Sequence, residues 1–464
     1  MAELENKLAV VVGLAPRGLA ACELLLRQGA RVVAVDRSDT PALREATQTL
    51  RRAGVQLELG ATALPDLPFD LAAIDPAVSP QDPLLAGLVQ HGVPVIGELE
   101  LGFQQARCLS LVVAGTNGKS SAADLIQRLL THEHRQAVIC GPAAQPACAV
   151  VNQSRALDFL IFEANARQLE ATRALHPAVS VLLNLAAPPH HDYASHGDYV
   201  RAHARLFASQ QSSDWAILQR EALAQLQALG LPPRGKVVTF STEDREADLY
   251  FERGLLISRI EGWSGPLLDM DHCRLRGPHH AENIMAALLV GRALRLSLDA
   301  MLEAVKPAPP LPHCCEPVAE RDGVRFLSDA LAGNMHALSQ ALRAIPQASG
   351  GLPNIWLIAG GREEAADFHA VGPLISQRVK GAFLIGEARE ALRAAWGLFT
   401  PCMLAGALAE AVAQAAKRAL PGDVVLFSPG CASGASGSVG LERGEVYRQA
   451  VEVICKGDKR GHPI

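Results

Sequence analysis

The run Gly115-Thr116-Asn117-Gly118-Lys119-Ser120-Ser121 has the residue types and spacing to hold phosphate. Its glycines let backbone N–H groups close around phosphate oxygens, and a helix starting at Lys119-Ser120 adds its positive end. Lys119 can reach terminal phosphates, and the Ser120 hydroxyl can ligate Mg²⁺. The commoner nucleotide-binding loop has its first glycine where this chain has Val113. Gly115 opens the turn instead, giving a shorter Gly-Thr-Asn-Gly-Lys-Ser form. The plain alternative, a glycine turn between strand and helix, does not account for Lys-Ser at the helix start.

A second loop has weaker chemistry. Gly13-Leu14-Ala15-Pro16-Arg17-Gly18 lies between an apolar run (Lys7 to Val12) and a helical pattern (Leu19 to Gln28). A strand from Ala30 to Val35 follows and ends at Asp36-Arg37. This is a nucleotide-binding β-turn-α-β pattern, with Asp36 placed as a ribose-binding carboxylate. Ala15 stands where the middle glycine of the fingerprint belongs, so a Rossmann-like half that binds nothing remains open.

The elements around these loops alternate between strand and helix. Strands are expected at Leu71 to Ile74 and Val93 to Ile96, then at Leu109 to Ala114, feeding the phosphate loop and a helix from Ala122 to Leu130. Leu157 to Phe162 reads as a buried strand ending in Glu163. Val179 to Asn184 reads as another, followed by a polar, His-rich loop. Met285 to Leu296 looks helical, and the Pro-rich run 306–312 reads as a hinge. Strands at Ile355 to Ala359, Ala382 to Ile385 and Val424 to Phe427 complete the pattern. The expected fold is three α/β domains in series with mostly parallel sheets. They comprise a Rossmann-like domain (1–104), a central P-loop domain (105–308) and a Rossmann-like C-terminal domain (309–464).

Bulk properties bound the function. A chain of 464 residues is too long for one core. Charged residues at 20% and hydrophobic ones at 49% fit an ordinary globular protein. A net charge of −5 gives no global basic field for nucleic acid. No apolar run spans a bilayer, and the first residues lack a signal-peptide pattern. The ten cysteines are scattered without Cys-x-x-Cys, and the adjacent Cys314 and Cys315 are poorly placed for a disulfide. A reduced, cytoplasmic protein is expected.

The order of motifs resembles the Mur ligase family over essentially the whole chain. The motifs include Gly-Val-Pro-Val-Ile-Gly-Glu (92–98), the phosphate loop, Arg-Gln-Leu-Glu (167–170), Leu183-Asn184, and Gly277-Pro278-His279 with Asn283. Leu311-Pro312-His313, Gly360-Gly361-Arg362 and Ser-Pro-x-Cys-Ala-Ser (428–433) follow. The resemblance implies an ATP-dependent ligase of peptidoglycan-precursor synthesis. Phosphate from ATP activates the carboxylate of a UDP-linked muramoyl substrate, UDP-N-acetylmuramoyl-L-alanine, as an acyl phosphate. The amine of D-glutamate then attacks it. The implied cofactors are ATP and Mg²⁺, and the implied state is a monomer.

The family's roles fall on particular residues here. Residues 115–121 would take ATP, with Asn283 on the adenosine side and Asp329 near ribose or phosphates. Ser120, Glu163 and His190 would hold metal. Lys119, Glu163, His190 and His203 would carry catalysis. Pro16, Arg17, Asp36 and Arg37 would meet the UDP substrate, and Ser433 the amino acid.

Departures from the family pattern cluster at the chemistry. His203 stands where a carbamylated lysine bridges metal. Leu331 replaces a phosphate-neutralising lysine, Gly333 a hydroxyl residue, Cys314 an arginine and Glu364 a lysine. Gly434 and Gly440 replace a leucine and an aromatic. Asp75-Pro76-Ala77 and Gly141-Pro142-Ala143 alter the UDP side. Three readings follow: a D-glutamate ligase, a divergent ligase with another acceptor, and an inactive nucleotide-binding paralogue acting as regulator or scaffold.

Overall fold

The computed structural model describes residues 4–79, 81–142, 144–186, 193–362, 367–431 and 438–457. Their strands form three sheets, one after another along the chain.

The first sheet contains β1 (Leu8–Val12), β2 (Arg31–Asp36), β3 (Gln56–Leu59), β4 (Leu71–Ile74) and β5 (Val95–Gly97). The order is β3-β2-β1-β4-β5, all parallel. Helix α1 (Pro16–Arg27) starts earlier than the sequence pattern indicates, because Pro16 at its first turn is preset for helical φ.

The second sheet contains β6 (Leu109–Ala114), β7 (Ala137–Cys140), β8 (Phe159–Ala164), β9 (Val179–Leu182), β10 (Trp215–Gln219), β11 (Lys236–Ser241), β12 (Leu249–Glu252), β13 (Leu255–Ser258) and β14 (Gly265–Asp269). The order is β14-β13-β12-β11-β10-β9-β6-β8-β7. The chain leaves β6 toward β7 on one side and later crosses to β9 on the other. The loop after β6 therefore opens at a topological switch point, where open α/β sheets place ligands. The pairs β12–β13 and β13–β14 are antiparallel, an extension the sequence pattern does not announce.

The third sheet contains β15 (Glu316–Arg321), β16 (Val324–Ser328), β17 (Ile355–Gly361), β18 (Val379–Gly386), β19 (Cys402–Leu404) and β20 (Val424–Phe427). Its order is β15-β16-β20-β17-β18-β19, parallel except for the β15–β16 hairpin.

Three more helices position the site. Helix α2 (Lys119–His132) buries Ala122, Ala123, Leu125, Ile126, Leu129 and Leu130, one apolar stripe of helical period. It packs against α4 (Pro278–Ala293), whose residues His280 to Gly291 are all buried. Helix α3 (His196–Ala204) starts at the Ser195 cap, whose side chain accepts from the Asp198 N–H. The Pro-rich run lies outside regular structure between the second and third sheets. Cys314 and Cys315 carry free thiols, as expected of neighbours.

Candidate active site

The phosphate loop runs from β6 into α2. Gly115 and Gly118 have φ of +138° and +87°. A Cβ on Gly118 would lie 2.5 Å from Asn283 Oδ1, so only glycine fits there. Gly118 caps α2 and has no side chain, so no capping side chain takes up the first-turn N–H groups. Lys119 Nζ donates to the carbonyls of Gly115 (2.8 Å) and Thr116 (3.0 Å), folding over the loop. Burial pushes its ammonium below the usual lysine range, opposed by the charge of Glu163.

The loop is braced by residues that the sequence reading did not assign to it. Thr116 N–H donates to the Asn184 carbonyl (2.8 Å), and Asn117 N–H to Asn184 Oδ1 (3.0 Å). Asn184 Nδ2 donates back to the Asn117 carbonyl (3.1 Å). The Thr116 hydroxyl lies 2.9 Å from Tyr199 Oη. The signal for Asn184 was its place just past a buried strand, level with the loop.

Glu163 is the penultimate residue of β8, opposite Val113 of β6, at the strand end where the sequence places it. Ser120 Oγ donates to Glu163 Oε2 at 2.8 Å. Burial raises the Glu163 carboxyl, opposed by the Ser120 hydroxyl and Lys119. These hard oxygen donors at a helix start suit Mg²⁺, which takes few protein ligands and completes its shell with phosphate oxygens and water. Among the described residues no group of three or more His, Cys, Asp or Glu converges as a self-sufficient metal cage.

His203, on α3, is completely buried. Its Nδ1 lies 3.1 Å from the Tyr199 carbonyl, and its Nε2 has no partner. Burial holds the imidazole at about 4, the Tyr199 carbonyl opposing and the Lys119 charge adding to the fall. The ring is therefore neutral near pH 7. His190, Ser433, Glu364 and Gly434 lie outside the described residues.

Asn283 is not at a helix start. α4 begins at Pro278, and Asn283 is buried within it, its side chain against Gly118. Asp329 accepts from Ser428 Oγ (2.8 Å) and the Cys315 N–H (3.2 Å), and burial raises its carboxyl to about 7. The third domain reaches the phosphate loop through other residues. Asn117 Nδ2 donates to Asn334 Oδ1 (3.2 Å) and lies 2.8 Å from His336 Nδ1, while Asn334 Nδ2 donates to Asn117 Oδ1 (3.0 Å).

In the first domain, Asp36 Oδ2 accepts the Leu14 N–H (2.7 Å) and Oδ1 the Ser38 N–H (2.7 Å). Asp75 Oδ2 accepts the Gly18 N–H (2.9 Å). Two N–H groups of the glycine turn are thus held by the protein's own carboxylates. Pro16 opens α1, and Arg37 pairs with Asp82 at 3.5 Å. Arg17 donates from Nη2 to the Gly141 (2.9 Å) and Pro142 (2.8 Å) carbonyls, across to the second domain.

The Mur ligase middle domain matches residues 113–291, and the Mur ligase glutamate ligase domain matches residues 315–431. The chain is 33% identical over 456 residues to the UDP-N-acetylmuramoylalanine–D-glutamate ligase of Acidobacterium capsulatum, covering 97% of each protein. The chain belongs to the Mur ligase family. A second relative bearing that enzyme name, from Geotalea uraniireducens, is 32% identical over 461 residues, covering 99% of this chain and all of that protein. Among solved structures, the MurF ligase from Thermotoga maritima in complex with ADP matches with a TM-score of 0.59 at 15% identity. It covers 97% of this chain and 99% of that one, a likeness of fold. Mur ligases are ATP-dependent ligases of three α/β domains, as the motif order implied. Among the described residues no helix is long and apolar enough to cross a membrane.

Proposed function

We propose that this Mur ligase joins D-glutamate to UDP-N-acetylmuramoyl-L-alanine, using ATP, in peptidoglycan-precursor synthesis. The observation that carries the reading is near-full-length similarity to relatives named for that enzyme. ATP supplies the phosphate that activates the substrate carboxylate, and Mg²⁺ the positive charge that lets two anions meet.

In this reading Lys119 turns from the loop carbonyls to the terminal phosphates, and the loop N–H groups hold the rest. Ser120 and Glu163, with His190, hold Mg²⁺. His203 offers a neutral imidazole whose Nε2 has no protein partner among the described residues. Asn283 and Asp329 serve the nucleotide, the turn at Pro16 with Asp36 and Arg37 serves the UDP substrate, and Ser433 the amino acid; Arg17, expected in the UDP set, is instead taken up by the Gly141 and Pro142 carbonyls. The working units are 1–104, 105–308 and 309–464, in a cytoplasmic monomer, where ATP and UDP-linked precursors are both at hand.

A second reading, a ligase with another acceptor, is favoured by Leu331. Where the family carries a lysine, this side chain is apolar and 42% exposed. One assay separates the two: phosphate release from Mg-ATP with UDP-N-acetylmuramoyl-L-alanine and a panel of amino acids. Stimulation by D-glutamate is the expected result. Stimulation by another amino acid alone establishes the second reading. Absence of release despite ATP binding rejects both.

A further inference from the structure

Arg17 and Glu163 belong to different domains, yet one short path of contacts joins them. Arg17 Nη2 holds the carbonyls of Gly141 and Pro142. Gly141 has φ of +145°, and a Cβ there would lie 2.5 Å from the Glu163 carbonyl oxygen and 2.6 Å from its Cβ. The Gly141 backbone therefore rests directly on the backbone of Glu163, with no side chain between. Glu163 in turn accepts from Ser120 at the start of α2. The buried Glu98 carboxyl of the first domain accepts the Cys148 N–H at 2.7 Å, and the Arg17 charge favours its ionised form. Arg17 is thus held by a turn of the second domain, through Nη2 alone, while its Nε is buried without a partner among the described residues.

We propose that Arg17 is a positioning residue for the magnesium site, holding the Gly141-Pro142 turn against Glu163 so that its carboxylate stays level with Ser120. This rests on the reading of Glu163 as a magnesium ligand. The side chain acts through the turn rather than on the uridine substrate, which gives it a testable signature. Docking of the first domain on the second would then set how well the phosphate loop holds metal, and loss of the clamp would loosen the site without removing a ligand.

The test uses the full chain, with Arg17→Ala and Arg17→Lys. ATP binding is titrated by calorimetry at a series of Mg²⁺ concentrations, UDP binding is titrated separately, and amide hydrogen exchange is followed over residues 137–164. Arg17→Ala is expected to raise the half-saturating Mg²⁺ at least about fivefold, with Arg17→Lys in between, since an ammonium can still hold a carbonyl. UDP affinity stays within about twofold, because the guanidinium is committed to the turn. Exchange at Gly141 and at the end of β8 quickens in Arg17→Ala. Unchanged Mg²⁺ dependence overturns the proposal, whether or not UDP binding falls. A wild-type chain that binds no Mg-ATP would sink the ligase reading instead. The exchange arm then decides the clamp: unchanged exchange refutes it, and faster exchange confined to the turn and β8 supports it.

Discussion

Ser120 Oγ and Glu163 Oε2 lie 2.8 Å apart, joining the first turn of α2 to the C-terminal end of β8. They meet because β6 and β8 are adjacent parallel strands with Val113 opposite Glu163. The phosphate loop then lifts the chain over the sheet edge, so the hydroxyl and carboxylate face one space.

Glu163→Gln keeps the hydrogen-bond acceptor and removes the charge. ATP binding in saturating Mg²⁺ is expected to weaken about 10- to 100-fold, the loss of one charge-assisted contact of about 1.5–3 kcal/mol. Stability should not fall, because burial already disfavours the ionised form. The sign in pH follows: as pH falls through the raised Glu163 pKa, the carboxylate protonates and Mg²⁺ binding is lost. Calorimetric titrations from pH 8 downward check both, and a wild-type affinity that is flat with pH would argue against a metal role.

Asn334 has two duties. Its Oδ1 caps the helix Met335–Ala344 by accepting the Ala337 N–H (2.8 Å), and its amide bonds Asn117. Asn334→Asp retains the cap, so unfolding free energy should stay within about 0.5 kcal/mol. The donor to Asn117 is lost and a negative charge is placed beside the phosphate loop. ATP affinity should drop roughly 5- to 20-fold. An unchanged affinity would show that the third domain does not touch the loop in the working state.

His203→Phe separates packing from chemistry. The imidazole leaves a buried Nε2 without a partner, which costs about 1–3 kcal/mol, so a ring of similar shape should hold or raise the melting temperature. Turnover is expected to fall at least about tenfold if the nitrogen serves the reacting groups. Full activity in a stable variant would make His203 a core residue only.

Glu98 gives the molecule a pH-dependent stability. Burial raises its carboxyl to about 7 from 4.5, and the Cys148 N–H and Arg17 oppose the rise. With the folded pKa above the unfolded one, the native state binds the proton more tightly between these values, so this group's contribution falls as pH rises from about 4.5 to 7. Glu98→Gln holds the neutral form. Its stability relative to wild type should grow across that window by up to about 3 kcal/mol, at about 1.4 kcal/mol per unit. Urea denaturation at pH 5 and pH 8 measures the difference, and a constant difference would mean that Glu98 stays ionised throughout.

Strands with continuous apolar runs, such as Leu71–Ile74 and Val424–Phe427, were legible with their bounds. Helix starts were less so. α4 begins at Pro278, where polar His279 and His280 hide a helix that is buried on nearly every side and so lacks a polar face to give it away. The strands Leu249–Glu252, Leu255–Ser258 and Gly265–Asp269 are short and broken by Gly254 and Gly262, and they pair as an antiparallel extension of one edge of the open second sheet.

The sequence by itself determined the phosphate loop, because glycine freedom and Lys-Ser chemistry are local properties of neighbouring residues. It also determined the α/β alternation, which follows from the period of apolar side chains. Only the tertiary structure decided what those residues face. Asn184 bracing the loop, Asn334 reaching Asn117 and Arg17 grasping the Gly141 turn join residues far apart in the chain. Such contacts depend on strand order and domain docking, which no local spacing encodes.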